Sequence, residues 1–221
     1  MSDEELLEYY NEYVASRTCL MSVDDKYSVE MLSGFADQAV KDGLITDTPK
    51  QRAAVTKAVV RAEFKAVVAG GNVKGYTTAA TLLNHSLQDY PQKMLCPSGS
   101  GIAAQIGRSS ECTSIVNSFK KQVRGKNITS KTVTGTATLK STTDLHLAFN
   151  KVSYQVVGKK YKGKWNLTIT FTDRYDFETQ AWRNSMTDHV AVTAINNYAA
   201  YAQSIGAIVP YDIKVFVVTS F

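Results

Sequence analysis

The chain has 221 residues, 44% hydrophobic and 20% charged, which is enough apolar material for a sizeable core and argues against a disordered polypeptide. Lysine and arginine total 25 against 20 acidic residues, a formal charge of +5 that favours anionic partners: nucleic acid, an anionic membrane surface or a phosphorylated substrate. No uninterrupted apolar run approaches the roughly 18 residues that span a bilayer, so a transmembrane segment is not expected.

The start, Met1-Ser2-Asp3-Glu4-Glu5, is acidic where a signal peptide is basic. The expectation is synthesis in the cytosol, with any action outside the cell requiring another export route. Cys19, Cys96 and Cys112 are odd in number and form no Cys-x-x-Cys pair, which speaks against a disulfide framework and a zinc knuckle. Buried thiols are expected, with a Cys96–Cys112 bridge in an oxidising compartment as the alternative.

The first 125 residues read as helices. Ser2 can cap a segment with Leu6, Leu7, Tyr10, Tyr13 and Val14 at helical spacing. Ser28 to Asp42 repeats the pattern and Gly43 is placed to end it. Thr48-Pro49 opens a long helix, apolar over much of its circumference, that is predicted to stop at Gly70-Gly71. Thr77 to Asp89 gives a fourth helix closed by Pro91, and residues 102 to 123 a fifth that Gly107 can split.

Beyond Gly125 the texture changes. Thr132–Leu139, Val152–Val157, Trp165–Thr172 and Asp212–Thr219 are rich in Val, Thr, Ile and aromatic residues, as strands are, with one further helix at about 187 to 204. The fold class is α+β: an N-terminal helical bundle over 1–125, then an antiparallel sheet with one packed helix over 126–221, as two subdomains or a single compact domain.

Chemistry concentrates where the alternating run from Trp165 to Phe171 ends in Asp173-Arg174-Tyr175-Asp176-Phe177-Glu178. Carboxylates at a strand end sit on a rigid platform, where they can bind a hard cation or divide acid and base roles. The plain alternative is an Asp-led turn out of the sheet. Between the strands lies Gly158-Lys159-Lys160-Tyr161-Lys162-Gly163-Lys164, a loop that can grip phosphate through its four lysines or simply be a solvated hairpin tip.

No His-x-x-x-His pattern, Gly-x-Ser-x-Gly elbow, phosphate-binding Gly-x-x-x-x-Gly-Lys-Ser/Thr loop or strand-led dinucleotide motif occurs, so zinc, serine-nucleophile and nucleotide-loop chemistries find no motif. What remains is an aspartate-centred site, with Asp144, Asp173 and Asp176 as acids and Arg174 or Arg183 as anion partners, a set suited to phosphoryl chemistry. His189, soon after the carboxylates, is the best general acid or base, against the plainer role of a surface histidine.

Asp173-x-Tyr175-Asp176 followed by five residues, Trp182 and Arg183 resembles the Asp-x-Tyr-Asp-x₅-His-Arg signature of the colicin M type bacteriocins. Those toxins hydrolyse the lipid-linked cell-wall precursor lipid II with Mg²⁺. The likeness covers four of the five signature positions, and Trp182 stands where the family has its catalytic histidine, leaving His189 or His85 to substitute. The wider layout, Asp144-Leu145, a lysine-rich hairpin and a strand ending in Asp-x-Tyr-Asp-Phe, is similar to toxin domains of bacterial polymorphic and contact-dependent systems.

The resemblance implies an antibacterial effector, exported or injected into a target-cell periplasm, that hydrolyses a phosphate ester of a lipid-linked substrate at a membrane surface and is countered by an immunity protein. It implies that Asp173 and Asp176 bind Mg²⁺ or act as base, that Tyr175 orients them, that Arg183 binds phosphate and that His189 is the acid. Lys159, Lys160, Lys162, Lys164 and Arg174 would bind substrate. The rival readings are a non-enzymatic binder of nucleic acid or an anionic surface through the lysine-rich hairpin, and a structural or adaptor protein.

Overall fold

A computed structural model of the chain describes residues 1–17, 29–149, 151–178 and 189–221. Helix α1 (Asp3–Arg17) opens on a capping box: the Ser2 hydroxyl accepts the Glu5 N–H at 3.2 Å, and the Glu5 carboxylate accepts the Ser2 N–H at 2.6 Å. Helix α2 (Val29–Lys41) buries Leu32, Phe35 and Ala39, and Phe35 meets the rings of Tyr10 and Tyr13 edge-on at 5.0 and 5.5 Å. Helix α3 (Pro49–Val73) starts at the predicted proline but runs through Gly70-Gly71, because each glycine costs a helix only about 1 kcal/mol.

Four more helices follow before the last: α4 (Thr77–Ser86), α5 (Gly101–Gly107), α6 (Ser110–Val123) and α7 (Thr143–Phe149). The predicted break at Gly107 is present. The Ser109 hydroxyl caps α6 by accepting the Cys112 N–H at 3.0 Å. Helix α8 (His189–Ser204) precedes the final strand. Among the described residues no helix is long and apolar enough to cross a membrane.

The sheet has five strands, β1 (Met94–Cys96), β2 (Ser130–Thr138), β3 (Lys151–Tyr161), β4 (Lys164–Tyr175) and β5 (Tyr211–Ser220), in the order β1-β5-β4-β3-β2. The α+β class and the antiparallel meander are those expected; β1, pairing in parallel with β5, is not, since three residues are too short to show a period. The lysine-rich segment also differs from the expected loop. Only Lys162 and Gly163 turn, at φ 48 and 83, the pair of positive angles of a type I′ hairpin, while Lys159 and Lys160 pair with Asn166 and Trp165 in the ladder.

Two compact units interleave along the chain. The first comprises residues 1–69, 84–91 and 176–210. Its core includes the Tyr10–Phe35 cluster and Phe64 stacked on Tyr198 at 5.2 Å; the Tyr198 hydroxyl donates to Glu63, and Arg61 donates to the carbonyl of Ala207 and pairs with Asp89 at 2.8 Å.

The second comprises residues 70–83, 92–175 and 211–221, so β1, α5 and α6 belong with the sheet. Helix α6 buries Cys112, Ile115, Phe119 and Val123, a stripe at helical spacing. Phe119 meets Trp165 edge-on at 5.5 Å, and a methyl group on Gly158 would lie only 2.3 Å from the Phe119 ring. One sheet face is therefore core, carrying Val152, Val156, Trp165, Leu167, Ile169, Phe171, Val215 and Val217.

Cys96 and Cys112 are free buried thiols, so of the two alternatives the sequence leaves open, the bridge is not formed. Burial pushes the Cys96 thiol up and the Cys112 thiol up to about 11, which keeps both neutral near pH 8. Iodoacetamide on the native protein at that pH should leave both unmodified, and unfolding should expose them; peptide mapping reads the difference. Rapid native labelling of Cys112 would contradict the packing of α6.

Candidate functional site: a cleft at the end of strand β4

Side chains alternate along β4, and with a period of two the odd-numbered residues from Trp165 to Tyr175 share the core-facing side while Thr172 and Arg174 share the open one. Asp173 has core-facing parity but is only half-buried, because it stands near the end of the strand. Its Oδ1 accepts the Arg174 N–H at 2.9 Å. Arg174 reaches across the ladder to its register partner Asp212 on β5, Nη1 to Oδ1 at 3.3 Å. Both side chains are well exposed, so this pair orients the guanidinium and adds little stability.

Around them opens a cleft of about 410 Å³, lined by Asp173, Arg174 and Asp212 together with Lys93, Lys151, Thr136, Ser153 and Thr172. Three cations stand against two carboxylates. Hydroxyls from three neighbouring strands line the same space. That donor set is matched to an anion with several oxygens: cations neutralise it and hydroxyls bond to it. It suits a phosphate group better than a divalent cation.

The sequence-derived residues are distributed as follows. Asp173 and Arg174 line the cleft. Tyr175 is a core residue, its ring 5.4 Å from that of Tyr211, and burial raises its hydroxyl well above the ordinary phenol range. Asp176 comes just past the strand, exposed, where the chain enters the other unit. His189 begins α8, and Arg183 and Trp182 lie outside the described residues.

Lys159, Lys160, Lys162 and Lys164 are exposed at the far end of the β3–β4 hairpin. Lys164 and Arg174 are ten positions apart on β4, about 33 Å at the rise of a strand, so hairpin and cleft cannot hold one small ligand together.

Asp144 does not join them. It is 6% exposed, and its carboxylate accepts the N–H groups of Thr78 and Ala79 at 3.1 and 2.9 Å and the Gln105 side-chain amide at 3.0 Å. That is the work of a cap at the start of α4, supplied from a distant segment. His146 is exposed on α7, and His85 lies on α4 with its ring 3.3 Å from the Gln88 amide. Lys93, Lys151 and Asp212 were not legible as site residues, because strand order and register bring them together across three segments of the chain.

The chain was compared with protein-family profiles, with curated proteins and with solved structures, and it matches none of them.

Proposed function

We propose that the β4-end cleft binds and hydrolyses a phosphate ester, the observation carrying this reading being the convergence of Lys93, Lys151 and Arg174 on a space that also holds the Asp173 carboxylate. The cations and hydroxyls bind the phosphate oxygens and offset the charge that grows in the transition state. Asp173 takes a proton from a water as its oxygen bonds to phosphorus; the ester P–O bond breaks, and the departing oxygen is protonated by solvent. By its resemblance to the colicin M type signature the protein is an antibacterial effector, and its substrate a lipid-linked precursor of the cell envelope. The same resemblance assigns Mg²⁺ to Asp173 and Asp176, the acid role to His189 and phosphate binding to Arg183; no step above is routed through any of these assignments.

Expressed in the periplasm of a susceptible bacterium, the wild-type chain should arrest growth, while Asp173→Asn and Arg174→Ala should not. With purified protein and a phosphodiester substrate, Asp173→Asn should lower kcat by about 10²- to 10⁴-fold, the usual worth of a positioned base. Equal growth and equal turnover of wild type and variants would sink the reading, and undiminished turnover in a chelator would remove Mg²⁺ from it.

A further inference from the structure

The face of the sheet opposite the core is open. Lys151, Lys159, Lys164, Arg174 and Lys214 point to it by strand parity, and Asp212 is the one carboxylate among its strand residues. Most of the positions between are threonine or serine, and nearly all the residues of this face are exposed. Three of the most exposed large apolar side chains of the described residues share it: Leu95 at 59%, Val218 at 58% and Tyr161 at 66%, with Leu95 placed there by its register opposite Lys214.

We infer that this face docks on an anionic bilayer surface. The five cations are spread over three adjacent strands, β3, β4 and β5, in one broad layer, which fits a surface of negative headgroups. Leu95 and Val218 gain nothing from water or from a phosphate backbone, but do gain from entering the boundary between headgroups and acyl chains, and tyrosine is favoured at that depth. A single-stranded nucleic acid fits less well. Its bases need exposed rings to stack on, and the aromatic side chains of this face are Tyr161 at the hairpin tip and a half-buried Phe216.

The inference rests on the hydrolase reading for its purpose. Thr172, Arg174 and Lys151 belong both to the open face and to the cleft, so docking brings the cleft to the layer where the phosphate of a lipid-linked substrate lies.

The test is co-sedimentation with vesicles of phosphatidylcholine alone and of phosphatidylcholine with phosphatidylglycerol. Wild type should bind only the second kind and be released by salt, since the interaction decays within a Debye length. Lys159→Gln, Lys164→Gln and Lys214→Gln combined should weaken partitioning roughly a hundredfold, about fivefold for each cation. Leu95→Ser with Val218→Ser should weaken it with little change in salt dependence. Circular dichroism controls for folding in both sets.

Asp173→Asn should bind vesicles as wild type does, which separates the two ideas. Hydrolysis of a soluble ester without vesicle binding would overturn the docking and leave the hydrolase. Vesicle binding without any hydrolysis would overturn the hydrolase and leave the docking. A labelled single-stranded oligonucleotide bound at concentrations where phosphatidylglycerol vesicles are not would also overturn the docking.

Discussion

Phe119→Ala should destabilise the sheet-containing unit by about 3–5 kcal/mol, the cost of emptying a buried aromatic site that cannot collapse around the loss. Phe119 is 1% exposed and is the point where α6 meets the sheet: Trp165 and Phe221 lie edge-on to it at 5.5 and 6.4 Å, and Gly158 lies beneath it. For a chain of this length the shift in Tm should be roughly 10 °C by the usual scaling. Gly158→Ala should be destabilising for the opposite reason. Its methyl carbon would sit 2.3 Å from one Phe119 carbon and 2.9 Å from Leu167 Cδ2, and overpacking of this kind costs about 1–3 kcal/mol.

The two effects share one space, so they should not add. Phe119→Leu should relieve most of the cost of Gly158→Ala, and a double-mutant cycle in urea should give a coupling of about 1 kcal/mol or more. Strict additivity would mean that α6 does not lie against β3 as described.

Asp144→Ala is the second large loss expected, about 3 kcal/mol or more. The carboxylate is buried and receives three hydrogen bonds, two from the first turn of α4 and one from Gln105, and removing it leaves those donors without their acceptor. Asp144→Asn keeps an acceptor oxygen while losing the charge, and should recover part of the loss. Urea unfolding measures both. In the periplasmic assay the same pair separates roles: any loss of toxicity should follow stability across Asp144 variants, whereas Asp173→Asn should lose activity while unfolding at wild-type urea. An Asp144→Asn protein as stable as wild type and yet inactive would return Asp144 to the catalytic set.

The interest of the β4 end lies in how little of it comes from adjacent residues. Asp173 and Asp176, three apart, fall on opposite parities of a structure with period two, and the strand stops between them at Tyr175. The groups that share a cleft with Asp173 come instead from the segment before β1, from β2 and β3, and from β5. Lys93 and Asp212 are far apart in sequence, and only the parallel pairing of β1 with β5 makes them neighbours of one space.

The sequence by itself determined the class of this protein and most of its elements. Period 3.6 in α1, α2 and α6 and period 2 in β4 are properties of consecutive side chains, and Pro49, Gly107 and the caps Ser2 and Ser109 act within a single turn. It also marked Asp173 and Arg174, because an acid and a base at the end of an alternating strand are a local pattern.

The tertiary structure decided what each charge does. It drew Asp144 into capping a helix more than sixty residues earlier in the chain, sank Tyr175 into the core, spread the lysines of the supposed loop along a ladder, and collected five cations on one open face. Those outcomes depend on register and strand order. Both are set by how separate segments pair and pack, so no window of neighbouring residues carries them.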